Sequence, residues 1–238
     1  MAKKLPPLIT FGCSHTFGSA LPDTPRGRGE KKIPSKYAWP KLLADSLQLN
    51  CINKGMPGAS PKYVAHAITK CKFPHPKPII VVILWPPSQR WGVIKTIQDT
   101  STNKTKTGFM PMLPNSIDMV HPDNFYTGYN VTRKEYKNLL TTYYEQLYTD
   151  EDSKFNFCVH ISYVDSFLKS QGIVPIHLIA EHERVLTDYK HLVPSSLRAK
   201  EFNWAEDFRI DYGSDNAHPG VESQKLFAKN IKKWFFKK

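Results

Sequence analysis

Ile9-Thr10-Phe11-Gly12-Cys13-Ser14-His15-Thr16-Phe17-Gly18 is a short apolar run that breaks at glycine and at once presents a serine. A chain sets a nucleophile at the carboxyl end of a β-strand in this way. Glycine permits the sharp turn, and a helix that follows directs backbone N–H groups at the serine. The local pattern also fits ordinary turn chemistry, in which Ser14 merely caps a helix. The decision between the two rests on the rest of the chain.

The sequence has 238 residues, 40% of them hydrophobic, with Trp, Tyr and Phe spread throughout. This length and composition predict one folded α/β domain over residues 1–238 and exclude a disordered chain. The longest apolar run, Ile79 to Trp85, has the length of a buried strand and falls short of the roughly 18 residues of a membrane span. The opening Met-Ala-Lys-Lys-Leu-Pro-Pro lacks the apolar stretch of a secretory signal, so a cytoplasmic location is expected. Cys13, Cys51, Cys71 and Cys158 lie far apart without a Cys-x-x-Cys pair, which fits reduced thiols rather than a disulfide framework or zinc site.

A formal charge of +12, from 33 Lys and Arg against 21 Asp and Glu, concentrates at Arg26 to Lys36 and in the last seven residues. No nucleic-acid motif accompanies it, so specific nucleic-acid binding is not expected, only weak salt-sensitive attraction to polyanions.

Strand and helix alternate along the chain. Strands are expected at 8–11, 51–53, 79–84 and 173–180, and helices at 39–49, 61–71, 133–148, 154–170 and 220–236. Residues 86–130, rich in Pro, Thr, Asn and Lys, read as an insertion or long loop. The alternation predicts a three-layer α/β sandwich on a mostly parallel, flavodoxin-like sheet. Ligands of such sheets bind beyond the carboxyl ends of the strands. Ser14 follows the first strand, Asn53 to Ser60 the second and Trp85 to Gln89 the third. Asp215-Asn-Ala-His218-Pro219 precedes the last helix. A serine needs a base to become a nucleophile, and the base needs a carboxylate to fix its tautomer. Asp215 and His218 can supply both if their loop turns toward Ser14.

This order and spacing resemble the SGNH (GDSL-type) hydrolase superfamily. Gly12-Cys13-Ser14 is similar to its first block, Trp39-Pro40-Lys-Leu-Leu to a segment of its first helix, and Asn53 with Gly58 to its second block. Asp215-x-x-His218-Pro219 is similar to its last. The resemblance implies Ser14 as nucleophile, His218 as base and Asp215 as orienter. It also implies backbone donors at Gly58 and Ser14 for the oxyanion. The third block departs from the Gly-x-Asn-Asp pattern: Trp85 falls at its glycine and Ser88 at its asparagine. Ser88 is therefore the expected third oxyanion donor, and Trp85 and Arg90 the expected substrate-binding residues. A serine hydroxyl in place of the amide leaves two outcomes. One is a serine esterase or deacylase, acting without metal or cofactor on a small-molecule or carbohydrate ester such as an O-acetyl sugar. The other is a catalytically impaired SGNH-fold binding or structural protein. The Gly12 to Gly18 segment also resembles uncharacterised SGNH-like proteins of tailed bacteriophages, which implies a host-cytoplasm or virion setting.

Asp118-Met-Val-His121-Pro122 repeats the spacing of the last block, so His121 rivals His218; the closing helix directly after His218 favours the latter. His75-Pro76 lacks the aspartate. His177, His182 and His191 are too widely spaced for a zinc set. The sequence leaves the oligomeric state open.

Overall fold

Leu8 and Ile9 of the first strand set the plan of the molecule, because alternate side chains of a strand face opposite ways and both of these are buried. A strand with apolar residues on both faces needs helices on both sides. A computed structural model, describing residues 5–24, 33–74, 79–99, 104–112, 132–180 and 185–236, has this arrangement. Strands β1 (Pro7–Gly12), β2 (Asn50–Gly55), β3 (Ile80–Trp85), β6 (Ile176–Ala180) and β7 (Ala199–Phe202) form one parallel sheet in the order β2-β1-β3-β6-β7.

Helices α3 (Pro61–Thr69) and α5 (Asp150–Ser170) cover one face, where Ile9, Val81, Ile83 and Ile179 meet Val64, Ile68, Phe157, Ile161 and Val164. Helices α2 (Trp39–Ser46) and α8 (Val221–Phe235) cover the other, where Leu8, Val82, Leu84 and Leu178 meet Trp39, Leu43, Phe227 and Ile231. The Trp39 N–H donates to Gln224 Oε1 at 2.9 Å, fastening α2 to α8. Short helices α1 (Ser14–Phe17), α6 (Val185–Asp188) and α7 (Trp204–Asp207) fill the connections. Local signals start the longer helices. Ser60 Oγ accepts from Tyr63 N before α3, and Thr149 caps α5 by accepting from Asp152 N. Helix α4 (Arg133–Thr142) opens with a capping box between Thr132 and Glu135 and widens into a π-turn at Tyr143–Leu147.

Several parts depart from the sequence expectation. Within the stretch expected to be irregular, β4 (Trp91–Asp99) and β5 (Lys104–Met112) pair as an antiparallel hairpin, closed at its base by Trp91 opposite Met112. Its sequence lacks a sustained apolar alternation because the ladder between its own strands, not burial against the main sheet, satisfies its backbone. The edge strand β7 was not expected either. Ala-Lys-Glu-Phe is too short and too polar to announce itself, and it forms by pairing with β6. The short helices α6 and α7 lie in a stretch where no element was expected; elsewhere the elements agree and their bounds shift by a few residues.

From β1 the chain steps to β2 on one side and then returns to β3 on the other. The crevice at such a switch point, at the carboxyl ends of β1 and β3, is where a ligand reaches the sheet. Ser14 stands at that end of β1.

Candidate active site

Gly12 ends β1 at φ +155°, and a Cβ there would lie 2.2 Å from Thr16 Oγ1 and 2.6 Å from the Leu84 carbonyl oxygen. Only glycine lets α1 fold back so closely over the sheet. Cys13 then occupies the N-cap and is buried, and Ser14 begins the helix with 6% of its surface exposed. Cys13 O accepts from the Thr16 and Phe17 N–H groups, which holds the turn.

The exit of β2 is laced to the same turn. Met56 N donates to Gly12 O at 2.9 Å, Asn53 Nδ2 donates to Thr16 O at 2.7 Å, and Gly55 N donates to Asn53 Oδ1 at 2.8 Å. Asn53 is thus a brace between β2 and α1. Gly58 lies in the turn that Ala59 N closes onto Met56 O, with a left-handed φ of +77°.

Asp215 and His218 sit on the loop before α8, and that loop docks on the segment following α1. Ser214 N donates to Ala20 O at 2.9 Å, and Gly213 packs so closely on Ala20 that a Cβ would meet its carbonyl oxygen at 2.8 Å. His218 Nδ1 lies 2.6 Å from Asp215 Oδ2, and the Asp215 side chain is 1% exposed against 25% for His218. Asp215 Oδ1 also accepts from the Ala217 and His218 N–H groups. Burial raises the Asp215 carboxyl, but these bonds from His218 and Ala217 outweigh it and hold it well below the usual carboxylate range. An ionised Asp215 fixes the proton of the neutral imidazole on Nδ1 and leaves Nε2 as an acceptor. Outside the loop, Asp211 accepts from Glu222 N and Ser223 N and so caps α8 at a distance, fixing where the loop ends.

His15 ties the two halves together. Its ring centroid lies 5.7 Å from that of His218, edge to face, and 5.0 Å from the ring of Trp204. Burial first, then the His218, Arg90 and Arg209 side chains, push His15 down to about 3 against the pull of Asp215, so it is neutral at physiological pH. Among the described residues Ser14 Oγ donates no hydrogen bond. Catalytic contacts of this kind commonly tighten only around substrate.

Ser88 stands in the turn after β3 that Arg90 N closes onto Pro87 O at 3.1 Å. Arg90 closes that turn, half-buried, with a buried Nη1 that has no hydrogen-bond partner among the described residues. Trp85 requires a correction. Expected against substrate, it is 1% exposed and belongs to the core, packed edge-on against Phe157 and donating its indole N–H to His177 Nδ1 at 3.0 Å. Because an indole can only donate, His177 carries its own proton on Nε2, facing Asp165 Oδ1 at 3.5 Å; Asp165 Oδ2 in turn pairs with Lys169 at 2.7 Å. That chain of contacts serves the core. His121, with Asp118, lies outside the described residues, as do His75 and His182.

Sequence reasoning missed His15 and Arg209. His15 adjoins the serine, but nothing in the linear order marks its contact with residues more than 180 positions away. Arg209 lies in a polar stretch without periodicity, its guanidinium 5.2 Å from the Tyr212 ring centroid. Among the described residues no three His, Cys, Asp or Glu side chains are grouped to hold a metal ion, and no helix is long and apolar enough to cross a membrane.

No protein-family model matches the sequence, and no curated protein matches it. Solved structures do. A carbohydrate esterase whose active site displays divergent catalytic and non-catalytic binding functions aligns over 98% of this chain and 65% of its own, at 13% identity and a TM-score of 0.54. A family 2 carbohydrate esterase from Corynascus thermopiles (Myceliophthora fergusii), with a carbohydrate-binding domain, aligns over 98% of this chain and 68% of its own, at 15% identity and a TM-score of 0.53. An acetyl xylan esterase from the rumen bacterium Butyrivibrio proteoclasticus aligns over 98% and 64%, at 10% identity and a TM-score of 0.51. The chain spans about two thirds of the length of these esterases. At such identities the likeness establishes the fold alone, which this chain shares with these esterases.

Proposed function

We propose that this protein is a serine carboxylic-ester hydrolase in which Ser14, His218 and Asp215 act as nucleophile, base and orienter. The observation that carries the reading is the 2.6 Å contact between Asp215 and His218 on a loop docked against the segment that follows Ser14. Asp215 holds the imidazole with Nε2 free to accept. As substrate draws the groups together, His218 takes the Ser14 hydroxyl proton and Oγ attacks the ester carbonyl. The tetrahedral oxyanion is received by the Gly58 and Ser14 N–H groups and the Ser88 hydroxyl. His218 then protonates the departing alcohol, and a water activated by the same imidazole releases the acyl group. The carbohydrate esterases of like fold favour an ester on a sugar, an O-acetyl group above all, as one substrate. No metal or cofactor takes part in this scheme.

Hydrolysis of 4-nitrophenyl acetate tests the reading. Ser14→Ala and His218→Ala are each expected to lower kcat by about 10³-fold or more, and Asp215→Asn by about 10²–10⁴-fold. His121→Ala is expected to retain activity. Activity that survives both Ser14→Ala and His218→Ala, or that is lost with His121→Ala instead, sinks the assignment.

A second reading has its own observation. Among the described residues Ser14 Oγ donates no hydrogen bond, and a serine stands where a third oxyanion amide is expected. Both fit an SGNH scaffold retained for binding or structure, with a phage virion or host cytoplasm as the setting implied by residues 12–18. A fluorophosphonate probe separates the two, since it labels Ser14 only where the base activates it.

A further inference from the structure

Arg90 and Arg209 are cations that no acid among the described residues neutralises. Arg90 lies past the carboxyl end of β3 in the Ser88 turn, half-buried, and its Nη1 is buried with no hydrogen bond among the described residues. A guanidinium N–H buried without an acceptor costs desolvation free energy that nothing on the protein side returns. Arg209 approaches from the loop before α8, its guanidinium on the Tyr212 ring and the residue exposed. Both charges act on His15, whose ring centroid lies 5.7 Å from that of His218. Among the described residues no carboxylate pairs with either. The nearby acids are occupied: Asp215 by His218, and Asp211 by the first turn of α8. The imidazole of His15, being neutral, adds no charge of its own.

We infer that the ester taken at this site carries an anionic group, a carboxylate or a phosphate, which the half-buried guanidinium of Arg90 binds and Arg209 attracts. The inference rests on the esterase reading and narrows its substrate. A planar guanidinium suits such a group because it offers parallel N–H donors to its oxygens. The anion can belong to the acyl or to the alcohol part of the ester, and two substrate pairs tell these apart. Monomethyl glutarate against methyl pentanoate places the charge on the acyl side; 4-acetoxybenzoate against phenyl acetate places it on the alcohol side.

Hydrolysis is followed by proton release, and the readout is the ratio of kcat/KM, charged over neutral, within each pair. The wild type is expected to show a ratio of about 10–100 in one pair, the range of a hydrogen bond to a charged group. Arg90→Gln is expected to cut that ratio by about tenfold or more, Arg209→Gln by less, and Arg90→Lys to restore part of it. A ratio near one in both pairs, or one that Arg90→Gln leaves unmoved, overturns the inference; equal losses on charged and neutral esters would make Arg90 an oxyanion donor instead. Calorimetric binding to the Ser14→Ala protein separates this from the parent reading, since it needs no turnover. If the wild type hydrolyses none of the four esters, the esterase reading falls. Tighter binding of the charged member that Arg90→Gln abolishes then still supports the anion site, and equal binding of both members overturns it.

Discussion

Gly12 shows how much of the site depends on a missing methyl group. Its place between Thr16 and the Leu84 carbonyl leaves no room for a Cβ, and Leu84 belongs to a central strand whose backbone is held on both sides. Thr16 can rotate away, but the carbonyl cannot. Gly12→Ala is therefore expected to cost about 1–3 kcal/mol, as overpacking in a dense interior does. At this chain length that lowers the Tm by about 2–4 °C per kcal/mol, read from a thermal melt. The same strain displaces α1, so the variant is expected to lose ester hydrolysis beyond its loss of stability. A Tm equal to wild type would show that the β1–α1 turn is looser than its contacts imply. Asp215 works by the opposite device. It is buried among donors, and their number rather than any free space sets its charge.

At the scale of elements, Tyr144 ties the base of the β4–β5 hairpin to the turn after β3. The Tyr144 hydroxyl, on the π-turn, lies 2.9 Å from both the Gln89 and the Met112 carbonyl oxygens, and its one proton is shared between them. Gln89 adjoins Ser88 and Arg90, so this hydroxyl couples the base of the hairpin to the turn that presents the expected oxyanion donor. Trp91 stacks on Tyr143 at 4.3 Å beside it, and Met112, Tyr136 and Leu140 form a small core of their own. Tyr144→Phe keeps that packing and removes the hydrogen bond, at a cost of about 1 kcal/mol. Amide exchange is expected to quicken in residues 91–99 and 104–112 and stay unchanged in β1 and β3. Exchange that quickens everywhere, or nowhere, would show that the hairpin is held by other means.

At the scale of the molecule, the way charge is buried sets the response to acid. Burial pushes His15, His160 and His177 below the ordinary histidine value of 6.5. As pH falls below that value the unfolded chain takes up these protons and the folded protein does not, so stability is lost toward the lower folded values. Asp165, Asp211 and Asp215 are lowered from 3.8, because hydrogen bonds outweigh the burial that opposes them. Their contribution is complete above that value and is lost as pH falls below it. Urea melts are thus expected to show a midpoint that declines from about pH 6.5 to 4.5, then more steeply below about pH 4. His15→Gln is expected to flatten the first decline. A midpoint constant between about pH 7 and 4.5 would mean that these histidines titrate alike in both states.

The parallel sheet and its helices were legible because each strand is an unbroken apolar run, as burial on both faces requires, and each long helix carries its own apolar period. Ser14, Gly58, Asp215 and His218 could be named as candidates because short local patterns survive in linear order, and the structure sets Asp215 and His218 2.6 Å apart on one loop. Trp85 was misplaced because an apolar run does not say where its last residue points. Only the stacking of β3 against β6 sends that indole to His177. The hairpin and β7 were hidden because their backbone bonds are satisfied by pairing, which leaves little trace in side-chain pattern. The sequence by itself determined the layers, the order of the candidate site residues and the turn that carries Ser14. The tertiary structure alone decided that His15 meets His218 and Trp204 and feels the charges of Arg90 and Arg209, because charge and burial there are sums over segments that meet only when the sheet closes its switch point.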